Sequence, residues 1–157
     1  MAIPQTIRVN PLDLQKNIAI GVSLPFNGPS GPFNKTYSTK DQTKSNLLNL
    51  LLTNKGERIF NPQFGADLRK TLFSNITENL TSTDIDPTYL SQKEGITEDV
   101  TSTIQNLIVE SVYTFIPTID LVEVIVNPDI EHNKLSVTVN YRLKLSGTSD
   151  QVTVEFI

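Results

Sequence analysis

A chain of 157 residues has room for one domain with a real core. Its net charge of −4 carries no block of like charges, which argues against a nucleic-acid partner, since phosphate binding needs a concentrated Lys/Arg face. The lack of cysteine removes disulfides, thiolate chemistry and zinc–thiolate sites together.

The opening MAIPQTIRVN is not a charged region followed by an apolar run, so no signal peptide is expected. No apolar stretch approaches the ~18 residues of a membrane span. The chain therefore reads as soluble, made in a cytoplasm and without a membrane partner. Residues 1–17, with Pro4 and Pro11, read as an extended arm. Ile18, Ile20, Val22 and Leu24 alternate with Ala19, Gly21 and Ser23, which predicts a short strand. Residues 25–40 open on prolines and glycines that forbid regular structure, and read as a surface loop that Phe33 and Tyr37 tack to the domain.

Asp41 or Thr43 is placed to cap the next helix. Leu47, Leu48, Leu50, Leu51 and Leu52 are too dense for a thin stripe, so that helix is expected to be buried on most sides. Gly56 stands where a left-handed residue would end it. A Pro62-Gln63-Phe64-Gly65 turn follows, and a second short helix packs Leu68, Leu72 and Phe73. Residues 74–95 are polar, with one helical turn expected around Tyr89–Lys93.

Thr97 is the expected N-cap of a long helix, whose Val100, Ile104, Leu107, Ile108, Ser111 and Phe115 recur at three and four residues until Pro117 stops it. The period then changes to two. Strands are predicted over Ile119–Val126, Leu135–Leu145 and Val152–Ile157, with Asn127-Pro128-Asp129 and Ser146-Gly147 as turns. The whole chain, 1–157, is thus expected to be one α+β domain. It has an arm and short strand, two to three helices, and a three-stranded antiparallel meander covered by the long helix.

Catalysis would have to draw on Glu57, Asp67 and His132. The single histidine falls among polar hairpin residues with no serine or carboxylate tied to it by motif, and reads as a surface residue. No second histidine offers metal-ligand spacing, so no metal and no cofactor is expected. A glycosidase pair of Glu57 and Asp67 is conceivable, but a general acid must stay protonated. Lys55 and Arg58 beside Glu57 would hold it ionised, which favours a structural ion pair or a glutamate bonded to backbone at the helix exit.

Leu50-Leu51-Leu52-Thr53, then Gly56, Glu57 and Arg58, then Pro62, Phe64 and Gly65, then Leu72-Phe73, resemble the short baseplate wedge subunits of contractile-tailed phages. That family has been called lysozyme-related and has a counterpart in type VI secretion baseplates. The lead-in from Ile20 to Phe26, the long helix and the meander are similar too, over residues 18–145. The resemblance implies a virion baseplate protein, assembled in the host cytoplasm, on which sheath polymerisation starts. The implied partners are wedge proteins, the tail sheath protein and, more distantly, tail tube or hub proteins.

In that family a Glu-Pro-Arg triplet docks onto the wedge core. Here the positions around Phe115, Ile116, Pro117 and Thr118 keep the proline and lose both charges, so docking must be apolar or made elsewhere. The last strand carries only Glu155 as an edge guard. Val152, Thr153, Val154, Glu155 and Phe156 are therefore expected to accept a sheath arm by strand addition. The rival readings are a tail-associated peptidoglycan hydrolase and an unrelated α+β binding module.

Overall fold

The structure, a computed structural model, describes residues 9–26, 33–70, 93–129 and 134–156. His132, Leu72, Phe73 and the polar stretch up to residue 92 lie outside them. In the arm, Pro11–Leu14 form a 3-10 turn, started by Asn10, whose Oδ1 accepts the Leu12 N–H at 3.1 Å. The arm is therefore not extended throughout. The strand expected over residues 18–24 shrinks to β1, Gly21–Val22, paired antiparallel with β2, Lys35–Thr36. Ile18 and Val22 remain exposed, so the alternation has no core to face. Phe33 and Tyr37 are exposed as well and do not tack the loop down; Phe33 instead meets Phe26 edge-on at 5.4 Å.

Helix α1 spans Thr39–Leu52, and its N-cap is Ser38, whose Oγ accepts the Lys40 N–H at 3.2 Å. Asp41 and Thr43 lie inside the helix rather than at its cap. A second acceptor arrives from the arm: Asp13 takes both the Thr39 N–H and the Thr39 hydroxyl, each at 2.6 Å. A carboxylate there also meets the positive end of the helix dipole. Leu47, Leu50 and Leu51 are buried and Leu48 partly so, while Leu52 is exposed. The helix ends on Thr53 in an extended conformation, so Gly56 is not its C-cap.

Helix α2 runs Lys93–Phe115, beginning ahead of Thr97, which is therefore interior rather than capping. Ile104, Ile108, Ser111 and Val112 form its buried stripe, with Phe115 packed at the margin. Beyond it come β3 (Ile119–Asp129), β4 (Lys134–Leu143) and β5 (Ser149–Phe156), an antiparallel meander with β4 in the middle. The expected turn at Asn127–Asp129 is part of β3, where Pro128 stands opposite Leu135. Leu145 lies past the end of β4 and is exposed.

Leu135, Val137, Val139, Tyr141 and Leu143 of β4 and Val152, Val154 and Phe156 of β5 are buried on one face. In β3 the pairing slips between Leu121 and Glu123, making Val122 a bulge. The extra residue resets the alternation, so Ile119 and Leu121 before it and Val124 and Val126 after it all join the core. Helix α1 packs on β5 and α2 on β3, so both helices, not the long one alone, cover the apolar face. The other face is polar: the Thr138 and Thr153 hydroxyls lie 3.0 Å apart, and Asn140 donates to Glu123 at 3.1 Å.

Candidate functional site

The segment after α1 folds back on the helix it leaves. The Gly56 N–H donates to the Pro62 carbonyl at 2.7 Å, and Gly56 has φ +93°. Glu57 accepts the Asn54 N–H at 3.0 Å and the Asn54 Nδ2 at 2.7 Å. The Asn54 backbone donor, then its side chain, hold the Glu57 carboxyl below its usual value, with smaller help from Arg69 and Lys70. The expected neighbours Lys55 and Arg58 are not the cause. Arg58 instead lies over the Phe64 ring, 3.6 Å from its centroid.

Phe64 in turn meets Phe115 edge-on at 5.2 Å, which ties this loop to the end of α2. Gly65 has φ +129°, and a Cβ there would stand 2.5 Å from the Thr53 carbonyl oxygen. Its own carbonyl accepts the Ser111 hydroxyl at 3.2 Å, in the interior, and the Ala66 N–H returns to the Leu50 carbonyl at 3.1 Å. Asp67, at φ +57°, accepts the Lys55 N–H at 3.2 Å and pairs with Lys70 at 3.2 Å. Sequence reasoning places Ser111 in the helix stripe but misses this bond, because its partner is 46 residues away.

The turn after α2 is divided. Ile116 is buried and Phe115 packs on the core, leaving Pro117 and Thr118 exposed. Lys144 clasps it, donating from Nζ to the Pro117 carbonyl at 2.8 Å and from its backbone N–H to the Thr118 carbonyl at 3.1 Å. The same Nζ lies 3.6 Å from Asp120.

Two bonds fix the phase of the ladder. Leu143 N–H donates to the Thr148 carbonyl at 2.9 Å, and Lys144 N–H to Thr118, so odd residues of β4 bond to β5 and even ones to β3. Along β5, Asp150, Val152, Val154 and Phe156 thus spend their backbone groups on β4, while Ser149, Gln151, Thr153 and Glu155 point theirs outward. Among the described residues only Gln151 is guarded, its N–H taken by Asp150 Oδ1 at 2.9 Å. The outer edge of β3 is interrupted at four positions along its length, with Leu121 and Val126 between them. Ile119 N–H is held by the Ile116 carbonyl at 3.3 Å, Val122 bulges, the Val124 carbonyl accepts Gln105 Nε2 at 2.9 Å, and Pro128 has no N–H to offer.

Among the described residues no group of three His, Cys, Asp or Glu side chains could hold a metal ion, and no helix is long and apolar enough to cross a membrane. A shallow groove of about 680 Å³ between the arm and α1 is lined by Asp13, Lys16, Asp41 and Lys44 among others, with no histidine to serve as a base.

No protein-family model matches the chain. A solved structure from Geobacter sulfurreducens, labelled a tail lysozyme, superposes with a TM-score of 0.53 at 20% identity, over 76% of this chain and 90% of that one. At that identity the likeness is one of fold. A chain of the anti-feeding prophage baseplate, solved by cryo-EM, gives a TM-score of 0.45 at 19% identity, over 82% of this chain and 76% of that one. The fold is thus one shared with a small α+β tail protein. Over 102 residues the chain is 36% identical to baseplate wedge protein gp25 of Enterobacteria phage T4, spanning 64% of this chain and 76% of that protein. The chain belongs to the baseplate wedge protein gp25 family, whose role is structural, in the viral tail baseplate.

Proposed function

We propose that this protein joins the baseplate wedge of a contractile tail, in a particle assembled in the host cytoplasm, and starts the sheath by accepting an arm of the tail sheath protein on β5. The observation that carries this reading is the asymmetry of the two sheet edges. β3 is guarded by a bulge, a side-chain cap and a proline, whereas Thr153 and Glu155 hold out backbone donors and acceptors without a partner among the described residues. An open edge of this kind is the template for strand addition, in which main-chain bonds supply affinity and alternate side chains supply register. The wedge contact falls on the clasped turn, through Pro117 and Thr118, supported by Phe115 and Ile116 beneath.

The test is a proline at Thr153, which removes one outward N–H without touching the bonds to β4. Proline at Val154 would break the ladder itself, so it is the poorer probe. Baseplates carrying Thr153→Pro should form while sheaths fail to start, and Thr153→Val, which loses the hydroxyl alone, should start them normally. Normal sheath assembly on Thr153→Pro would sink the reading.

Peptidoglycan hydrolysis is the second reading, favoured by the Geobacter label. Against it, Glu57 and Asp67 are both engaged by donors of their own loop, and Glu57 is held ionised. We take the protein not to be an enzyme. Glu57→Gln and Asp67→Asn should leave any muralytic activity of the purified protein unchanged; reproducible loss in either would revive the hydrolase.

A further inference from the structure

At the tip of the loop between Gly56 and Pro62, Ile59 is 90% exposed and Phe60 101% exposed. An apolar pair held fully in water normally costs solubility and marks a contact surface. This one is also held still. The Gly56–Pro62 bond closes its base, Asn61 N–H donates to the Arg58 carbonyl at 3.2 Å, and Phe64 N–H donates to the Asn61 carbonyl at 3.1 Å. Arg58 is pinned on Phe64, and Glu57 on Asn54. A ring presented on a fixed loop loses little freedom on binding, which favours affinity.

The surroundings of the tip are cationic. Lys55, Arg58, Arg69 and Lys70 flank it in sequence or in space, and its two carboxylates, Glu57 and Asp67, are already engaged by donors of this loop. On a chain of net charge −4 this is a local reversal of sign.

We infer that Ile59 and Phe60 form a docking knob that inserts into an apolar socket rimmed by carboxylates on a neighbouring baseplate protein. A second copy of this chain is the wrong partner, because two such cationic surrounds would meet like with like. An anionic membrane is disfavoured by the overall negative charge and by the small apolar area of two residues. The knob shares no residue with the β5 edge. Of the functional reading it needs only the place in the baseplate, and it goes beyond sheath initiation.

The test places a photoreactive benzoylphenylalanine at position 60 of the full chain in assembled baseplates, with the same group at the exposed Tyr113 as control, and sequences the cross-linked peptides. The expected product joins position 60 to another baseplate protein, in a segment where apolar residues neighbour Asp or Glu. Against that purified protein, Phe60→Ala should raise Kd roughly tenfold or more and Phe60→Leu less. Arg69→Glu should raise it by a smaller factor, one that shrinks in high salt. The fold should be untouched in all three, as read by the urea midpoint. Cross-linking to a second copy, to a basic segment, or no more than at the control position would overturn the knob. So would Phe60-dependent binding to phosphatidylglycerol vesicles. Phe60→Ala should block entry into the baseplate, whereas Thr153→Pro should spare it, so the two readings fail separately.

Discussion

The Ser111 hydroxyl reaches from the buried face of α2 to the Gly65 carbonyl, 3.2 Å away. It is the polar bolt between the long helix and the loop that follows α1. Ser111→Ala would leave a buried carbonyl without its donor, at a cost of about 1–3 kcal/mol. A urea titration measures this directly; a loss under ~0.5 kcal/mol would mean that water replaces the hydroxyl.

The two glycines of the same loop should respond differently to alanine. At Gly65 the new Cβ meets the Thr53 carbonyl oxygen at 2.5 Å and φ is +129°; at Gly56 φ is +93° but nothing lies within 4 Å. Left-handed strain alone is of order 1–3 kcal/mol. Gly56→Ala should show about that, and Gly65→Ala clearly more, because backbone must move. Equal thermal shifts would count against the packing argument.

Tyr141 is completely buried in the middle of β4, and its hydroxyl has no hydrogen-bond partner among the described residues. Tyr141→Phe should therefore raise stability, by about 1 kcal/mol or more. Burial first, and then the nearby Asp150 carboxylate, push the phenol up from the usual 10.0. The unfolded chain ionises first, so this stability is present below pH 10 and falls as pH rises beyond it. The alkaline decline should be shallower in Tyr141→Phe.

Glu57 gives the opposite sign. Its folded carboxyl sits below the usual value of 4.5, chiefly through the Asn54 donor, so its contribution is present above that pH and lost as pH falls through the folded value. Glu57→Gln should flatten the acid limb of the stability curve. An unchanged acid limb would show that the Asn54 contact does not persist in solution.

The turn that follows α2 separates folding from docking. Ile116→Asp would bury an unpaired charge and should unfold the domain, so it says nothing of partners. Thr118→Asp lies in water and should leave the unfolding midpoint unchanged while weakening wedge binding. A contact resting on Pro117 should also resist salt; collapse of binding in moderate salt would point elsewhere.

The parts of this fold visible in the sequence are those where one period runs unbroken. Ile104, Ile108 and Ser111 on α2, and Leu135 to Leu143 on β4, are read correctly because each element keeps one buried face along that stretch. Alternation around Ile18 and Val22 misleads, since the β1–β2 pair meets α1 through Gly21 and Thr36 and leaves those two side chains exposed. The cap of α1 is misplaced from Ser38 to Asp41 or Thr43 because all three residue types can cap, and the second acceptor, Asp13, is missed because it acts on Thr39 from 26 residues away. Pro128 reads as a turn residue, yet it is tolerated in a strand whose N–H would point outward. At the candidate site, the Gly56–Gly65 motif was legible as a unit, but not that it would leave Phe60 in solvent.

The register that runs from Leu135 opposite Phe156 to Arg142 opposite Ser149 has a mechanical meaning. A chain added along β5 and pulled lengthwise loads the ladder in shear, so its rungs share the force. They would not open one after another, as when a hairpin is unzipped from its end. The clasp of Lys144 on the Pro117 carbonyl sits where β4 meets the exit of α2, and passes that load into the longest helix described. A domain of this size can thus act as a stiff coupling between what holds it and what pulls on it.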